Sequence, residues 1–218
     1  MKVPPSTVSR ILKQMGLGRM WKVQEQAAPP RRYEHSEPGG MLHIDAKKLG
    51  KIRGVGHRIH GNRRRRSRGV GWEVVFVAVD DMTRLTYAEV FPRENAKYAT
   101  QFFRRALRWF RSLGIRVRRL LTDNAKAYSS ILFEGLCSGE GIRHTFTRPY
   151  TPQTNGKAER FIQTLARRWA YGRSYPSSAA RTQALRPWIF QYNHKRPHRG
   201  IGMIPPIARL RESREQRP

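Results

Sequence analysis

Met41-Leu42-His43-Ile44-Asp45-Ala46 and Leu120-Leu121-Thr122-Asp123-Asn124 decide how this chain folds. Both are short apolar runs of the kind that form buried strands, and each carries one aspartate that a buried strand does not need. A third stretch, Pro149-Tyr150-Thr151-Pro152-Gln153-Thr154-Asn155-Gly156, leads into an amphipathic helix that Glu159 opens. In that helix Ala158, Phe161, Ile162, Leu165, Ala166 and Trp169 recur at i, i+3, i+4 and i+7, and Glu159 lies beside the stripe, near its edge. Two strand-end aspartates and a helix glutamate that converge can hold a pair of hard divalent cations, the arrangement that clamps the attacking and leaving oxygens of a phosphodiester displacement.

Working outward, the first strand is expected at 41–48. Trp72 to Val79 and Leu85 to Val90 form a hairpin around Asp80-Asp81-Met82-Thr83. Ala99, Phe102, Phe103, Ala106, Phe110 and Leu113 place one apolar stripe on a helix over 95–113, which Gly114 stops. A strand at 117–122, a helix within 126–140 and a strand at 142–146 follow, and helices at 156–171 and 177–194 close the chain. Before all this, Pro4-Pro5-Ser6-Thr7 leads a helix in which Val8, Ile11, Leu12 and Met15 share a face and which Gly16 ends. Residues 1–20 look like the last helix of a helix-turn-helix, 21–40 a Pro/Gly-rich linker, 41–210 the core and 211–218 a basic tail.

The charge balance names a partner. The 218 residues hold 44 Lys+Arg against 15 Asp+Glu, a formal charge of +29. Such an excess repels itself and calls for a polyanion, nucleic acid first. An apolar fraction of 38% with five Trp, nine Phe and eight Tyr excludes a disordered basic tail. The longest fully apolar run, Val74 to Val79, is far shorter than the ~20 residues that span a bilayer. Cys137, the single cysteine, reads as a small buried hydrophobe of a reducing compartment. The run Arg63-Arg64-Arg65-Arg66-Ser67-Arg68 is expected to track DNA phosphates without reading sequence, and Asn155, Lys157 and Arg160 to flank bound DNA. Asp80 and Asp81 read as turn residues rather than catalysts. His57, His60, His194 and His198 lack zinc-ligand spacing and read as DNA-contacting or solvated.

These stretches resemble the integrase/transposase core of bacterial insertion sequences and retroviruses, the DDE superfamily. The resemblance rests on His43-Ile44-Asp45, Phe76 to Arg84, Leu121 to Ala125, Tyr150 to Phe161 and Tyr192-Asn193-His194-Lys195-Arg196-Pro197-His198, in that order, with thirty-five residues between Asp123 and Glu159. It implies an α/β fold, a ribonuclease-H-like mixed five-stranded sheet flanked by helices. It also implies a polynucleotidyl transferase in which Asp45, Asp123 and Glu159 bind two Mg2+ or Mn2+ ions. The implied partners are double-stranded DNA, as element ends and as target, and further copies of the chain on that DNA, with no membrane. The implied setting is the bacterial cytoplasm at the nucleoid. The family usually has glycine where Ala125 stands. The complete N-terminal DNA-binding region of insertion-sequence relatives is represented only by its last helix, which predicts a truncated product or an expressed fragment. Two rival readings are a DNA-binding remnant without transposition activity, and a ribonuclease H or junction-resolving nuclease on the same fold.

Overall fold

The centre of the structure is β1, Leu42–Gly50. Its partner β2, Trp72–Asp80, runs antiparallel to it along the whole length, from Leu42↔Asp80 to Gly50↔Trp72. β3, Thr86–Phe91, extends the sheet beyond β2. On the other side of β1, β4 (Arg119–Thr122) and β5 (Arg143–Phe146) join in parallel, giving the mixed order β3-β2-β1-β4-β5. The computed structural model describes residues 3–16, 34–53, 71–147 and 155–216.

Both faces of the sheet are covered, which is why β2 reads as the unbroken apolar run Val74-Val75-Phe76-Val77-Ala78-Val79. One face, with Leu42, Ile44, Val74, Phe76 and Ala78, packs on α2 (Ala96–Ser112) and α3 (Ile131–Gly139) through Phe102, Phe103, Phe110 and Phe133. The opposite face, with Leu49, Val75, Val77 and Val79, packs on α4 (Gly156–Leu165) through Ala158, Phe161 and Leu165. Asn95 caps α2 by accepting from the Tyr98 N–H at 2.9 Å, and Gly114, at φ +68°, turns the chain out of it. The hairpin turn is built by Asp80, whose carboxylate accepts from Thr83 N–H (2.8 Å), Thr83 Oγ1 (2.7 Å) and Gly39 N–H (2.7 Å). Asp80 is thus a turn-former, as its sequence context indicates.

The chain divides into two compact units, Met1–Tyr33 and Glu34–Pro218. In the first, α1 (Pro5–Gln14) presents Val8, Ile11 and Leu12 exposed on one side. The second unit begins earlier than the composition suggests. Residues 34–40 fall in the expected linker, yet Gly39 and Gly40 are buried, and the Gly39 and His35 N–H groups bond to Asp80 and Asp81. Glycine is required at 39: φ is +81°, and a Cβ would meet the Arg116 carbonyl at 2.2 Å. The expected helix 177–194 is two, α5 (Ser178–Gln183) and α6 (Leu185–His194), because Pro187 has no N–H for the Gln183 carbonyl and its ring crowds it. The expected helix 156–171 passes at Ala166–Ala170 into a π-helical turn that buries Trp169. A further helix, α7 (Pro206–Glu215), went unread because few apolar residues mark it, and it takes up most of the expected tail, burying Leu210 and Ser213.

One ion pair ties the open end of the β1–β2 ladder to the C-terminal helices. Arg181 on α5, 1% exposed, donates through Nη2 to Glu73 Oε1 at 2.6 Å and to the Gly50 carbonyl at 2.7 Å. Removing one partner strands the other in a dry environment. Arg181→Ala is expected to lower unfolding free energy by about 3–5 kcal/mol in urea titrations, and Arg181→Met with Glu73→Gln by markedly less. Equal losses would show that the strand end, not the buried charge, dominates.

Candidate active site

Strand register brings the first two carboxylates together. In the parallel β1–β4 ladder Leu42 faces Leu120 and His43 faces Leu121. Two residues past the last paired position on each strand come Asp45 and Asp123, and the charge of Asp123 acts on Asp45. Asp45 lies at the fourth position of the nine-residue β1 rather than at its end, while Asp123 directly follows β4. It is therefore the termination of β4, not of β1, that opens the sheet at this point.

Side chains alternate along β1. Leu42 and Ile44 enter the α2/α3 core, so His43 and Asp45 project with Leu49 toward α4. Glu159 lies in the first turn of α4 and is exposed. The electrostatics record the convergence. The Asp45 carboxyl is pushed up to about 7, first by burial and further by the charges of Asp123, Glu159 and Glu94, against the pull of the Ala46 N–H that donates to Asp45 Oδ1 at 2.7 Å. Glu94, in the loop between β3 and α2, is a carboxylate that the sequence reading missed: no periodicity marks that loop, and only contact in space reveals it. Beside it, Lys48, Arg93 and Lys126 line a cleft with Trp72 and Pro92.

Asp123 Oδ1 accepts from the Ala125 N–H at 3.1 Å. The non-glycine residues with positive φ among those described are Arg84 and Met203, so Ala125 occupies its turn without the strain that a glycine-only conformation would impose. Behind Asp123, Thr122 Oγ1 donates to the Asp123 carbonyl at 2.9 Å and lies 2.8 Å from His144 Nε2, whose Nδ1 is 2.7 Å from Glu134 Oε1. With Cys137, Glu134 and His144 form a group of potential metal-ligand atoms within 4.8 Å of one another, a spacing to which Asp45, Asp123 and Glu159 do not close. Both His144 nitrogens already have protein partners, and burial pushes the Cys137 thiol up to about 12, so this group reads as a hydrogen-bonded brace. The Tyr128 hydroxyl is buried without a partner among the described residues, and its ionisation is raised by burial and then by Asp45 and Asp123.

The expected DNA-binding residues separate. Arg160 is exposed beside Glu159. Asn155 is 4% exposed and bonds inward to His43 and the Ile44 carbonyl, and Lys157 pairs with Asp81. Arg63, Arg64, Arg65, Arg66 and Arg68 lie outside the described residues, as do His57 and His60. His194 stacks on Phe190 at 4.3 Å. His198 packs edge-on to Tyr192 at 4.5 Å, and burial pulls it down to about 4, so it is a neutral packing residue.

Sequence comparison converges on the same stretches. The family model described as Integrase core domain matches residues 35–152, more than half of the chain, and a second of that description matches residues 140–206. The chain belongs to the integrase core domain family. It is 24% identical over 184 residues to a Geobacillus stearothermophilus protein named as a transposase for insertion sequence element IS5376, covering 80% of this chain and 42% of that protein. It is 49% identical over 55 residues to the retrovirus-related Pol polyprotein from transposon TNT 1-94 of Nicotiana tabacum, covering 25% of this chain and 4% of the polyprotein. The chain thus spans less than half the length of these relatives. Among solved structures, a chain of the simian T-cell lymphotropic virus intasome in complex with PP2A regulatory subunit B56 gamma superposes with a TM-score of 0.66 at 22% identity, over 90% of this chain and 62% of that one. The BIV integrase catalytic core domain gives 0.57 at 23%, over 81% and 97%. Both share the ribonuclease-H-like fold.

Without cation, the raised Asp45 carboxyl makes folding pH-dependent. The folded chain keeps a proton there that the unfolded chain sheds between about pH 4 and 7, so stability falls as pH rises through that window and levels off above it. In EDTA, Asp45→Asn is expected to stabilise the protein at pH 8 by on the order of 1–3 kcal/mol and by roughly a third of that at pH 5. An equal effect at both pH values in urea titrations would contradict the electrostatic origin.

Proposed function

We propose that this chain is the catalytic core of a DNA-cleaving and strand-transferring polynucleotidyl transferase of the transposase/integrase kind. The observation that carries the reading is geometric: an integrase-type sheet and helix present Asp45 on β1, Asp123 at the end of the adjoining β4 and Glu159 in the first turn of the helix packed on that face. Their donor set is hard oxygen throughout, and the burial and neighbouring negative charge that raise Asp45 are both offset by a bound cation. Asp45, Asp123 and Glu159 would hold Mg2+ or Mn2+, two ions being expected. Such ions, when bound, make a nucleophile available at neutral pH and neutralise charge developing on the phosphoryl oxygens.

The residues of the chain supply position and charge. Burial holds the Asp45 carboxyl well above the usual carboxylate range, so taking it up as a ligand would release protons. Asp123 is oriented by the Ala125 N–H. Arg160, with Lys48, Arg93 and Lys126 at the neighbouring cleft, would neutralise phosphates on either side of the scissile bond. In cleavage, water attacks phosphorus and the 3′ oxygen of the element end leaves as a hydroxyl. In transfer, that 3′ hydroxyl attacks a target phosphodiester, whose own 3′ oxygen leaves. No covalent enzyme intermediate is required. Element-end DNA and target DNA are the proposed substrates, and assembly of several copies on them the proposed working form.

Asp123→Asn is expected to abolish cleavage of an end-containing duplex in Mg2+ and in Mn2+ while DNA affinity in gel shifts stays within about threefold, since affinity comes from the basic side chains. Cleavage at the wild-type rate would refute the assignment. Neutralising Arg63, Arg64, Arg65 and Arg66 together is expected to weaken binding to all sequences alike and to flatten the log–log salt dependence by about 0.9 per lost phosphate contact. An unchanged slope with lost preference for one end would mean that this run reads sequence or shape.

A further inference from the structure

The residue at the N-cap of α4 does not cap it. Asn155 belongs to the residue types that most favour this position, yet its side chain makes no bond to the α4 N–H groups. It turns to β1 instead: Oδ1 lies 3.2 Å from His43 Nδ1, and Nδ2 donates to the Ile44 carbonyl at 3.3 Å. On its far side His43 Nε2 lies 2.8 Å from Asp81 Oδ1. Asp81 also accepts from the His35 N–H at 2.7 Å and pairs with Lys157 of α4. His43 and Asp81 are fully buried and Asn155 is 4% exposed. Opposed hydrogen-bonding groups press the Asp81 carboxyl below the ordinary carboxylate range, although burial alone would raise it.

The spacing shows what this attachment sets. From Asn155 to Glu159 is four residues, about one helical turn or 6 Å of rise. From His43 to Asp45 is two residues, about 6.7 Å along a strand and on the same face. Docking Asn155 on His43 anchors the start of α4 to β1, one turn before Glu159, whose charge acts on Asp45, and the Lys157–Asp81 pair, two residues before Glu159, holds the first turn against the β2 turn. The apolar contacts of Ala158, Phe161 and Leu165 with Val75, Val77 and Val79 are non-directional, so the hydrogen bonds of Asn155 and Lys157 are what give the attachment a direction.

We propose that Asn155, His43 and Asp81, with Lys157, are positioning residues that set the register of α4 against β1 and so place Glu159 for cation binding with Asp45 and Asp123. The proposal rests on the functional reading above. It assigns Asn155 and Lys157 a task within the protein instead of a contact with DNA.

The test is Asn155→Ala in the full chain, with Mn2+ alone titrated calorimetrically beside single-turnover cleavage. Mn2+ affinity is expected to fall about 10-fold and the cleavage rate 10- to 100-fold, the range found when partners behind metal ligands are removed, with DNA affinity unchanged. In a Glu159→Gln background the same substitution is expected to weaken Mn2+ no further, because its effect passes through Glu159. Mn2+ affinity within twofold of wild type, or an undiminished loss in the Glu159→Gln background, overturns the proposal. Should Asp45→Asn and Glu159→Gln both cleave normally, the functional reading itself falls. Should they be inactive while Asn155→Ala is unaffected, only the positioning role falls. If Asn155→Ala does not fold, a crystal structure of the wild-type protein with Mn2+ decides: retention of the Asn155–His43 contact with Glu159 on the ion upholds the proposal, and Glu159 on the ion with that contact broken overturns it.

Discussion

β1 is paired on both edges and packed on both faces, and it is the ruler against which each part of the candidate site is placed. Its parallel register with β4 brings Asp123 beside Asp45. Its antiparallel register with β2 delivers the Asp80–Asp81 turn next to Leu42, with the Asp81 N–H donating to the Met41 carbonyl at 2.9 Å. Its buried His43, on the face that α4 covers, receives Asn155. A one-residue slip of β1 would turn His43 and Asp45 into the Phe-rich core and Ile44 toward α4, an exchange that buries two polar groups without partners. The hydrophobic pattern of this one strand thus enforces the geometry of a polar site it takes no chemical part in.

The residues that were readable in sequence are those at odds with their surroundings. An aspartate in Leu-His-Ile-Asp-Ala, another after Leu-Leu-Thr and a glutamate beside an apolar helical stripe each break a local rule, and their order and spacing do the rest. The sheet was readable for the complementary reason: its strands are strongly apolar, and Gly114 and the Asp-Asp turn punctuate them. Glu94, His43 and Asp81 in its supporting role could not be found this way. Glu94 sits in an irregular loop, and His43 and Asp81 acquire meaning only when strands and helix meet across 38 and 112 residues of chain. Asn155 misleads differently: a polar residue in a basic, glycine-bearing stretch reads as a ligand-facing group, whereas it is spent on the strand behind it. The break at Pro187 and the weakly patterned α7 show the ordinary limit of periodicity as a signal.

The balance of charge across the molecule fits this layout. Acidic residues are scarce, and those described are mostly committed: Glu73 to Arg181, Asp81 to His43 and Lys157, Asp80 to its turn, Glu89 to Arg105, Glu140 to Arg111. Asp45, Asp123 and Glu159 form none of the ion pairs found among the described residues.

The Arg181 clasp has a consequence for how the sequence between β1 and β2 can vary. Arg181 grips the Gly50 carbonyl at the end of β1 and Glu73 at the start of β2, and the Lys51 N–H closes onto the Gly71 carbonyl at 3.1 Å. Whatever length of chain joins those two points therefore starts and finishes at a fixed neck. The entropy of closing such a segment grows only with the logarithm of its length, so doubling it costs roughly 0.6 kcal/mol. Insertions, deletions or a wholesale exchange of the arginine-rich stretch therefore cost little so long as both ends meet that neck. Evolution, or an engineer, can rewrite the sequence at this position as an interchangeable part while the two strands it joins stay in register.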